Sequence, residues 1–141
     1  MEMKKKKKKG FTLVELLAVI AILAILIIFA LPAVLRMYNK AKVDSVVNEA
    51  RTLFRAAESQ YMADSMNEEL PDKYSYPCSV STCKSLEMSG RKFTDYEVVF
   101  TDGKVTKFKI TNRDFNIDAT GTSSDPVLVG DLGEKYPANK N

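Results

Sequence analysis

Few residues in this chain have the types and spacing that enzyme chemistry requires. The sequence contains no histidine, which excludes histidine-based triads, general bases and metal ligands. The acidic residues Asp95, Glu97, Asp114 and Asp118 have no spacing that indicates a catalytic pair of carboxylates. No glycine-rich phosphate-binding loop is present either. The sequence therefore predicts a protein that is not an enzyme and needs no cofactor.

A calcium site in the C-terminal segment is the metal site to consider. Its carboxylates are Asp125, in Ser-Asp-Pro, and Asp131, in Gly-Asp-Leu. A calcium loop has oxygen ligands at dense, alternating positions, and these two tripeptides lack that pattern. We therefore expect no metal ion.

The two cysteines, Cys78 and Cys83, are expected to form a disulfide. A soluble portion of roughly 100 residues is near the size at which one hydrophobic core is marginal, and disulfides often compensate outside the cytoplasm. Closing this short loop would stabilise the fold by about 2 kcal/mol. The alternative is that both remain thiols. The spacing is wider than that of a redox-active C-x-x-C pair, so we expect no redox role.

Glu15 is the residue whose position most needs an explanation. It is the one formal charge between Phe11 and Leu35, and a carboxylate deep in a bilayer costs about 2.5 to 3.5 kcal/mol. A simple explanation is that its side chain reaches the nearby membrane surface. A second is that cleavage after Gly10 creates an α-amino group at Phe11, one helical turn away. Ammonium and carboxylate could then neutralise each other, within one chain or between chains.

The apolar run that contains Glu15 is long enough to cross a membrane. Residues 16–35 are 20 uncharged, mostly apolar residues, and about 20 residues at 1.5 Å each span a hydrocarbon core. A cleaved secretory signal has a shorter apolar region of about 7 to 15 residues. That alternative stays open, since Ala30 and Ala33 flank Pro32 as small residues of a cleavage site would. Pro32 predicts a kink in the helix.

The charge is divided unevenly along the chain. Residues 1–10 contain six lysines, Lys4 to Lys9, and Glu2, a net charge of +5, whereas the other 131 residues carry 15 basic and 17 acidic residues, a net of −2. The folded portion therefore has no basic face for nucleic acid. Since basic flanks stay in the cytoplasm, we expect one membrane span with the C-terminus outside.

The elements that position these residues are a long helix and a small sheet. Apolar side chains recur at three- and four-residue steps after the span, which predicts one helix from about Thr12 to about Met62. The stripe consists of Val43, Val46, Val47, Ala50, Leu53, Phe54, Ala57 and Tyr61. The opposite face of this half of the helix is charged, so the stripe is suited to a domain core.

Two alternating runs after the helix predict a β-hairpin. Tyr96, Val98 and Phe100 alternate in the first run, Thr106, Phe108 and Ile110 in the second, and Asp102-Gly103 between them is a strong turn signal. Residues 115–117 are a candidate third strand. Pro71, Pro77, Ser79 and both cysteines indicate an irregular connection before the hairpin, and residues 119–141 a Gly-, Pro- and Asp-rich tail. We predict an α+β fold in which the amphipathic half of the helix covers a small antiparallel sheet.

The N-terminal sequence resembles the class III signal of type IV pilins and pseudopilins. The resemblance rests on Lys9-Gly10-Phe11-Thr12-Leu13-Val14-Glu15 and the apolar run behind it, over residues 4–35. It implies a leader, residues 1–10, that prepilin peptidase cleaves between Gly10 and Phe11, with N-methylation of Phe11. It also implies that Glu15 pairs with the Phe11 amine of a neighbouring subunit. The short leader and the Phe are similar to the type IVa subclass.

The resemblance also implies an organisation and a set of partners. Residues 11–35 are expected to form the transmembrane and assembly helix, 36–65 its amphipathic half, and 66–141 the loop, sheet and tail of a pilin fold. The chain is expected to form a homopolymer, extracted from the membrane by a platform protein and a cytoplasmic ATPase. In similar pilins, a proline at the place of Pro32 marks a segment that loses helical structure in the filament.

Three functions stay open at this point. The first is a pilin of a type IV pilus on the cell surface, for adhesion, aggregation or twitching motility. The second is a pseudopilin of a type II secretion or competence DNA-uptake system, and the third a membrane-anchored binding domain that never polymerises. Many pilins close a disulfide loop near the C-terminus, whereas Cys78 and Cys83 lie soon after the helix. We therefore do not assign to this chain the surface that the C-terminal disulfide loop bounds in those pilins.

Overall fold

The fold combines one long helix with a five-stranded antiparallel sheet, as predicted. The computed structural model describes residues 10–79, 86 and 95–141. Helix α1 spans Leu13–Asn67, and the strands are β1 (Lys73–Cys78), β2 (Asp95–Thr101), β3 (Lys104–Thr111), β4 (Phe115–Thr120) and β5 (Asn139–Lys140), with a 3-10 turn at Val129–Asp131. The chain forms two compact units, Met1–Lys40 and Ala41–Asn141.

The first unit contains the apolar part of α1. Every large apolar side chain from Leu13 to Leu35 is at least 51% exposed. This part of the helix is long and apolar enough to cross a membrane, with a mean hydropathy of 3.1 in its most apolar window. Pro32 lies inside the continuous helix, so the predicted kink remains a prediction.

The second unit is built on the predicted apolar stripe of α1. Six of its eight residues are buried, and the other two, Val43 and Tyr61, pack against the core from its edge. Phe54 from the helix meets Phe108 from β3, with ring centroids 5.4 Å apart. The helical period of the stripe is confirmed, because one face of the helix is covered by the sheet.

The sheet has the simplest antiparallel order, β1-β2-β3-β4-β5. Asp102 and Gly103 form the turn of the predicted hairpin with φ values of 52° and 77°, as a tight two-residue turn requires. The predicted third strand is present as β4 and is longer than expected.

The prediction for Thr106 was wrong, because β3 contains a bulge. Val99 pairs with Lys107 and Phe100 pairs with Val105, so Thr106 is an extra residue without a cross-strand partner. An extra residue reverses the alternation of faces beyond it. Val105 is therefore buried in place of Thr106, whose hydroxyl lies 2.9 Å from that of Thr101.

The expected irregular connection contains a regular strand. Residues 73–78 form β1, which pairs along its whole length with β2. The prolines predict a loop, but a proline also fits the edge strand of a sheet. Pro77 occupies such a position, since β1 is the first strand of the sheet.

The expected tail is a packed part of the second unit. Val127 and Leu132 are buried in the core, and β5 pairs with β4. The guanidinium of Arg51 on α1 donates a hydrogen bond of 2.9 Å to the carbonyl of Leu132. Gly133 follows with a φ of 93°, and a Cβ atom there would lie 2.7 Å from Cγ1 of Val47. The C-terminal segment is thus fastened to the helix at one turn.

Candidate processing and assembly site

The N-terminus of α1 is closed by a reciprocal pair of hydrogen bonds. The backbone N–H of Thr12 donates to Oε2 of Glu15 at 3.1 Å, and the backbone N–H of Glu15 donates to Oγ1 of Thr12 at 3.3 Å. This is a capping box, in which Thr12 is the N-cap and Glu15 the third helical residue. Thr-Leu-Val-Glu is the sequence signature of that motif, and the sequence reasoning missed it.

In the capping box the Glu15 carboxylate has two favourable interactions with its own helix. It accepts a backbone hydrogen bond, and it lies at the helix end where the macrodipole is positive. Glu15 therefore has a hydrogen-bond partner within its own chain before any other group contacts it.

Gly10 and Phe11 lie just outside the helix and are exposed. The Phe11 side chain is 92% exposed. A Cβ atom on Gly10 would meet no atom within 4 Å, so folding places no steric demand for glycine there.

The Phe11 nitrogen is close to the capping box along the chain. Consecutive residues are about 3.8 Å apart, and the N–H of the very next residue, Thr12, already bonds Glu15. If the chain were cut after Gly10, the new ammonium at Phe11 would lie within a few ångströms of the carboxylate. The structure thus places Gly10, Phe11 and Glu15 in one short segment.

The apolar surface of the first unit lacks cover from the described part of the chain. None of the most apolar window of α1 is buried. Apolar side chains each lose about 1.5 to 3 kcal/mol of stabilisation when left in water instead of being buried. A membrane or other chains must therefore cover this surface.

The remaining predicted residues lie away from this segment. Pro32 is five turns further along α1, and Cys78 ends β1. No cysteine among the described residues is free. Cys83 lies outside the described residues, as do Lys4 to Lys9, so the pairing of Cys78 with Cys83 remains a prediction.

Glu97 and Asp118, rejected as catalytic groups, and Asp131, rejected as a calcium ligand, have structural roles in the second unit. Glu97 forms an ion pair of 2.7 Å with Lys107, and this bond raises the pKa of the lysine. Asp118 lies opposite Lys109 in the β3–β4 register. Asp131 accepts a hydrogen bond from the backbone of Leu128. Within residues 10–79, 86 and 95–141 no cluster of three potential metal ligands occurs.

Two titratable groups on the second unit are perturbed by burial. Burial raises the pKa of the Tyr76 hydroxyl, and so does the hydrogen bond that it donates to Asp64. Burial also raises the pKa of Glu58, against an opposing effect of Arg55. Both groups lie on the packed domain and far along the chain from Glu15, so neither belongs to the candidate site.

The comparison with protein families concerns the N-terminal segment alone. Residues 5–31 match the prokaryotic N-terminal methylation motif. This is the signal motif of type IV prepilins and pseudopilins, so the resemblance inferred from the sequence is confirmed. The motif implies processing by prepilin peptidase and assembly into pilus-like polymers, in a family that is structural and not enzymatic. No curated protein and no solved structure matches the chain.

Proposed function

We propose that this chain is the structural subunit of a type IV pilus. The observation that carries the proposal is the methylation motif at residues 5–31, which overlaps the apolar part of α1, where every large side chain is exposed. The motif supports a protein of the type IV pilin or pseudopilin class. Such a subunit needs other copies because its exposed apolar side chains must be covered when it leaves the membrane.

The first step of the proposed function is maturation. Prepilin peptidase cleaves between Gly10 and Phe11 and methylates the new amino group of Phe11. The accessibility of this peptide and the absence of a steric demand for glycine support the assignment. The leader that is removed contains Lys4 to Lys9, which hold the N-terminus in the cytoplasm.

Before assembly, the processed subunit is anchored in the cytoplasmic membrane by one span. The length and hydropathy of α1 fit such an anchor. Twenty apolar residues, at about 0.3 to 0.6 kcal/mol each, hold the helix in the bilayer with on the order of 10 kcal/mol. The domain Ala41–Asn141 then lies outside the cytoplasm, where a Cys78–Cys83 disulfide can form.

Assembly moves the same apolar surface from lipid into the core of a fibre. Packing against the helices of other copies covers the side chains that the membrane covered before. The ammonium of Phe11 in one subunit pairs with Glu15 of its neighbour. This ion pair replaces the hydrogen bond that Glu15 accepts in the capping box of its own chain. A platform protein and a cytoplasmic ATPase supply the work of extraction.

The second candidate is a pseudopilin of a type II secretion or competence system. The methylation motif is common to prepilins and pseudopilins, which is the reason to keep this function. The two candidates predict different locations for the polymer. A pilin leaves the cell as a surface fibre for adhesion, aggregation or motility, whereas a pseudopilin fibre stays in the cell envelope.

The test is to shear intact cells and locate the subunit with an antibody against the domain Ala41–Asn141. Recovery of the subunit in the sheared fraction, together with filaments seen by electron microscopy, supports the pilus. A strain without the gene is the control. Recovery in the envelope alone supports the pseudopilin, and a subunit that stays monomeric in every fraction contradicts both.

A further inference from the structure

The distal end of α1 has an excess of negative charge. Between Arg55 and Lys73 the chain has five acidic residues and no basic residue: Glu58, Asp64, Glu68, Glu69 and Asp72. The last turn of the helix contains no basic side chain, although the macrodipole is negative there. Glu68 and Glu69 directly follow this helix end, where the dipole disfavours negative charge.

Exposed apolar side chains accompany these acids. Met62 and Met66 follow each other by one helical turn and are 63% and 85% exposed. Glu68 and Glu69 come directly after the helix and are exposed as well. Neither glutamate forms an ion pair with a described residue. We call the segment that contains Met62, Met66, Glu68 and Glu69 the acidic end.

A second stretch of the same helix has the opposite character. From Leu16 to Val43 the chain has three basic residues, Arg36, Lys40 and Lys42, and no acidic residue. Met37 and Tyr38 between them are exposed. In the described part of the chain, Arg36 and Lys40 form no ion pair. We call residues 36–40 the basic turn.

We propose that the acidic end of one subunit docks on the basic turn of a second copy of this chain. Each segment contains exposed apolar side chains and exposed charges of one sign, and the two signs are opposite, so the segments complement each other. The proposal rests on the proposed function, because it names a contact within the same polymer. It adds which parts of the subunit outside the apolar run meet.

The position of the basic turn also favours a second copy as the occupant. It continues directly from the apolar run that we assign to the fibre core, so a neighbour that covers the run reaches the next helical turn as well. Anionic lipid headgroups would fit the basic turn alone and leave the acidic end without a partner. A contact between two different surfaces of one chain does not close on itself, which gives an open polymer.

The experiment reverses the charges at each surface and then at both. The variants are Arg36→Glu with Lys40→Glu, Glu68→Lys with Glu69→Lys, and the combination of all four, each in the full chain. Like charges at a contact repel strongly, so we expect each double variant to lower the filament yield at least about tenfold. The combined variant restores opposite signs and should return to within about threefold of the wild-type yield.

A matched control reverses two cations elsewhere on the domain. Arg113→Glu with Lys140→Glu changes the charge by the same amount at exposed positions, and its filament yield should stay near that of the wild type. Immunoblots of the processed subunit in membranes show that each variant accumulates and is processed. Because the substituted side chains are exposed, a fold defect is not expected.

The possible outcomes separate the two proposals. Loss in both double variants with recovery in the combination supports the contact. Suppose that wild-type cells form filaments and that the charge reversals lower the yield no more than the control does. This result overturns the contact and leaves the proposed function standing. Loss in both double variants without recovery in the combination also overturns the contact. Loss in the Arg36→Glu, Lys40→Glu variant alone overturns it as well, and points to lipid headgroups as the partner of the basic turn. Absence of filaments from wild-type cells overturns the contact and the proposed function together.

Discussion

The two halves of helix α1 differ in what covers their apolar side chains. In the second half, Leu53 and Phe54 are at most 1% exposed, because the sheet lies over them. In the first half, Leu26 and Phe29 are 58% and 76% exposed. The halves belong to one continuous helix. One half therefore gains its stability within the chain, and the other gains it only from a membrane or from other chains.

This difference explains how one chain can be both a folded domain and a polymer subunit. The domain Ala41–Asn141 has its own core, so it keeps its fold whether the subunit is in the membrane or in a fibre. The apolar half has no core of its own and can change its surroundings without unfolding the domain. The same substitution should thus have different consequences in the two halves.

The largest expected effect is that of removing a buried ring. Phe54→Ala should destabilise the domain by about 3 to 5 kcal/mol, because it leaves a cavity against Phe108. Phe29→Ala, the same change in the apolar half, should alter domain stability by less than about 0.5 kcal/mol. Urea unfolding of the full chain in mild detergent, followed by near-ultraviolet circular dichroism, measures both. Equal effects would contradict the division of the helix.

The next effect concerns the turn that fastens the C-terminal segment to α1. Gly133→Ala should destabilise the domain by about 1 to 3 kcal/mol, since alanine disfavours the positive φ and its Cβ meets Val47. Gly130→Ala is the matched control, because a Cβ there meets nothing within 4 Å. The same unfolding measurement applies. An unchanged midpoint for Gly133→Ala would mean that this turn does not hold the segment.

A smaller effect is expected at the N-terminus of the helix. Thr12→Val removes the hydroxyl that accepts from the N–H of Glu15, at a cost of about 1 kcal/mol. Amide hydrogen exchange of residues 13–16 in detergent should then be about fivefold faster, with the domain unaffected. Thr52→Val, which removes an exposed hydroxyl within the same helix, should leave this exchange unchanged. No acceleration in Thr12→Val would argue against the capping box.

The smallest effect is a pH dependence at Glu58. Burial raises its pKa above the ordinary 4.5, so the folded domain binds this proton more tightly than the unfolded chain. Domain stability from this group is complete below the unfolded pKa and is lost as the pH rises through the folded pKa. Glu58→Gln should remove that loss, a change of less than about 0.5 kcal/mol for a partly exposed side chain. If the contribution of Glu58 to domain stability instead increases with pH over this range, burial is not what sets its pKa.

The helix and the hairpin could be predicted because their signals are local. The apolar stripe repeats with the helical period, and Asp102-Gly103 specifies a tight turn whatever surrounds it. The signals that were misread depend on tertiary context. Pro77 is compatible with a strand at a sheet edge, and the bulge at Thr106 appears only in the pairing of two strands.

The candidate site was predictable for the same reason, with one omission. Gly10, Phe11 and Glu15 are neighbours along the chain, so their proximity did not depend on the fold. The capping role of Thr12 was missed, although its spacing from Glu15 is a known signature. The packing of Val127 and Leu132 could not be foreseen, because isolated apolar residues in a polar segment show no period.

The most direct test of the account is the mass of the N-terminal peptide in protein sheared from intact cells. We predict a peptide that begins at Phe11 and is one methyl group heavier than the sequence, in the fraction that contains filaments. That result would establish that the exposed apolar helix left the membrane in a processed polymer. A peptide that retains Lys4 to Lys9 in every fraction would contradict the account and leave a membrane-anchored domain.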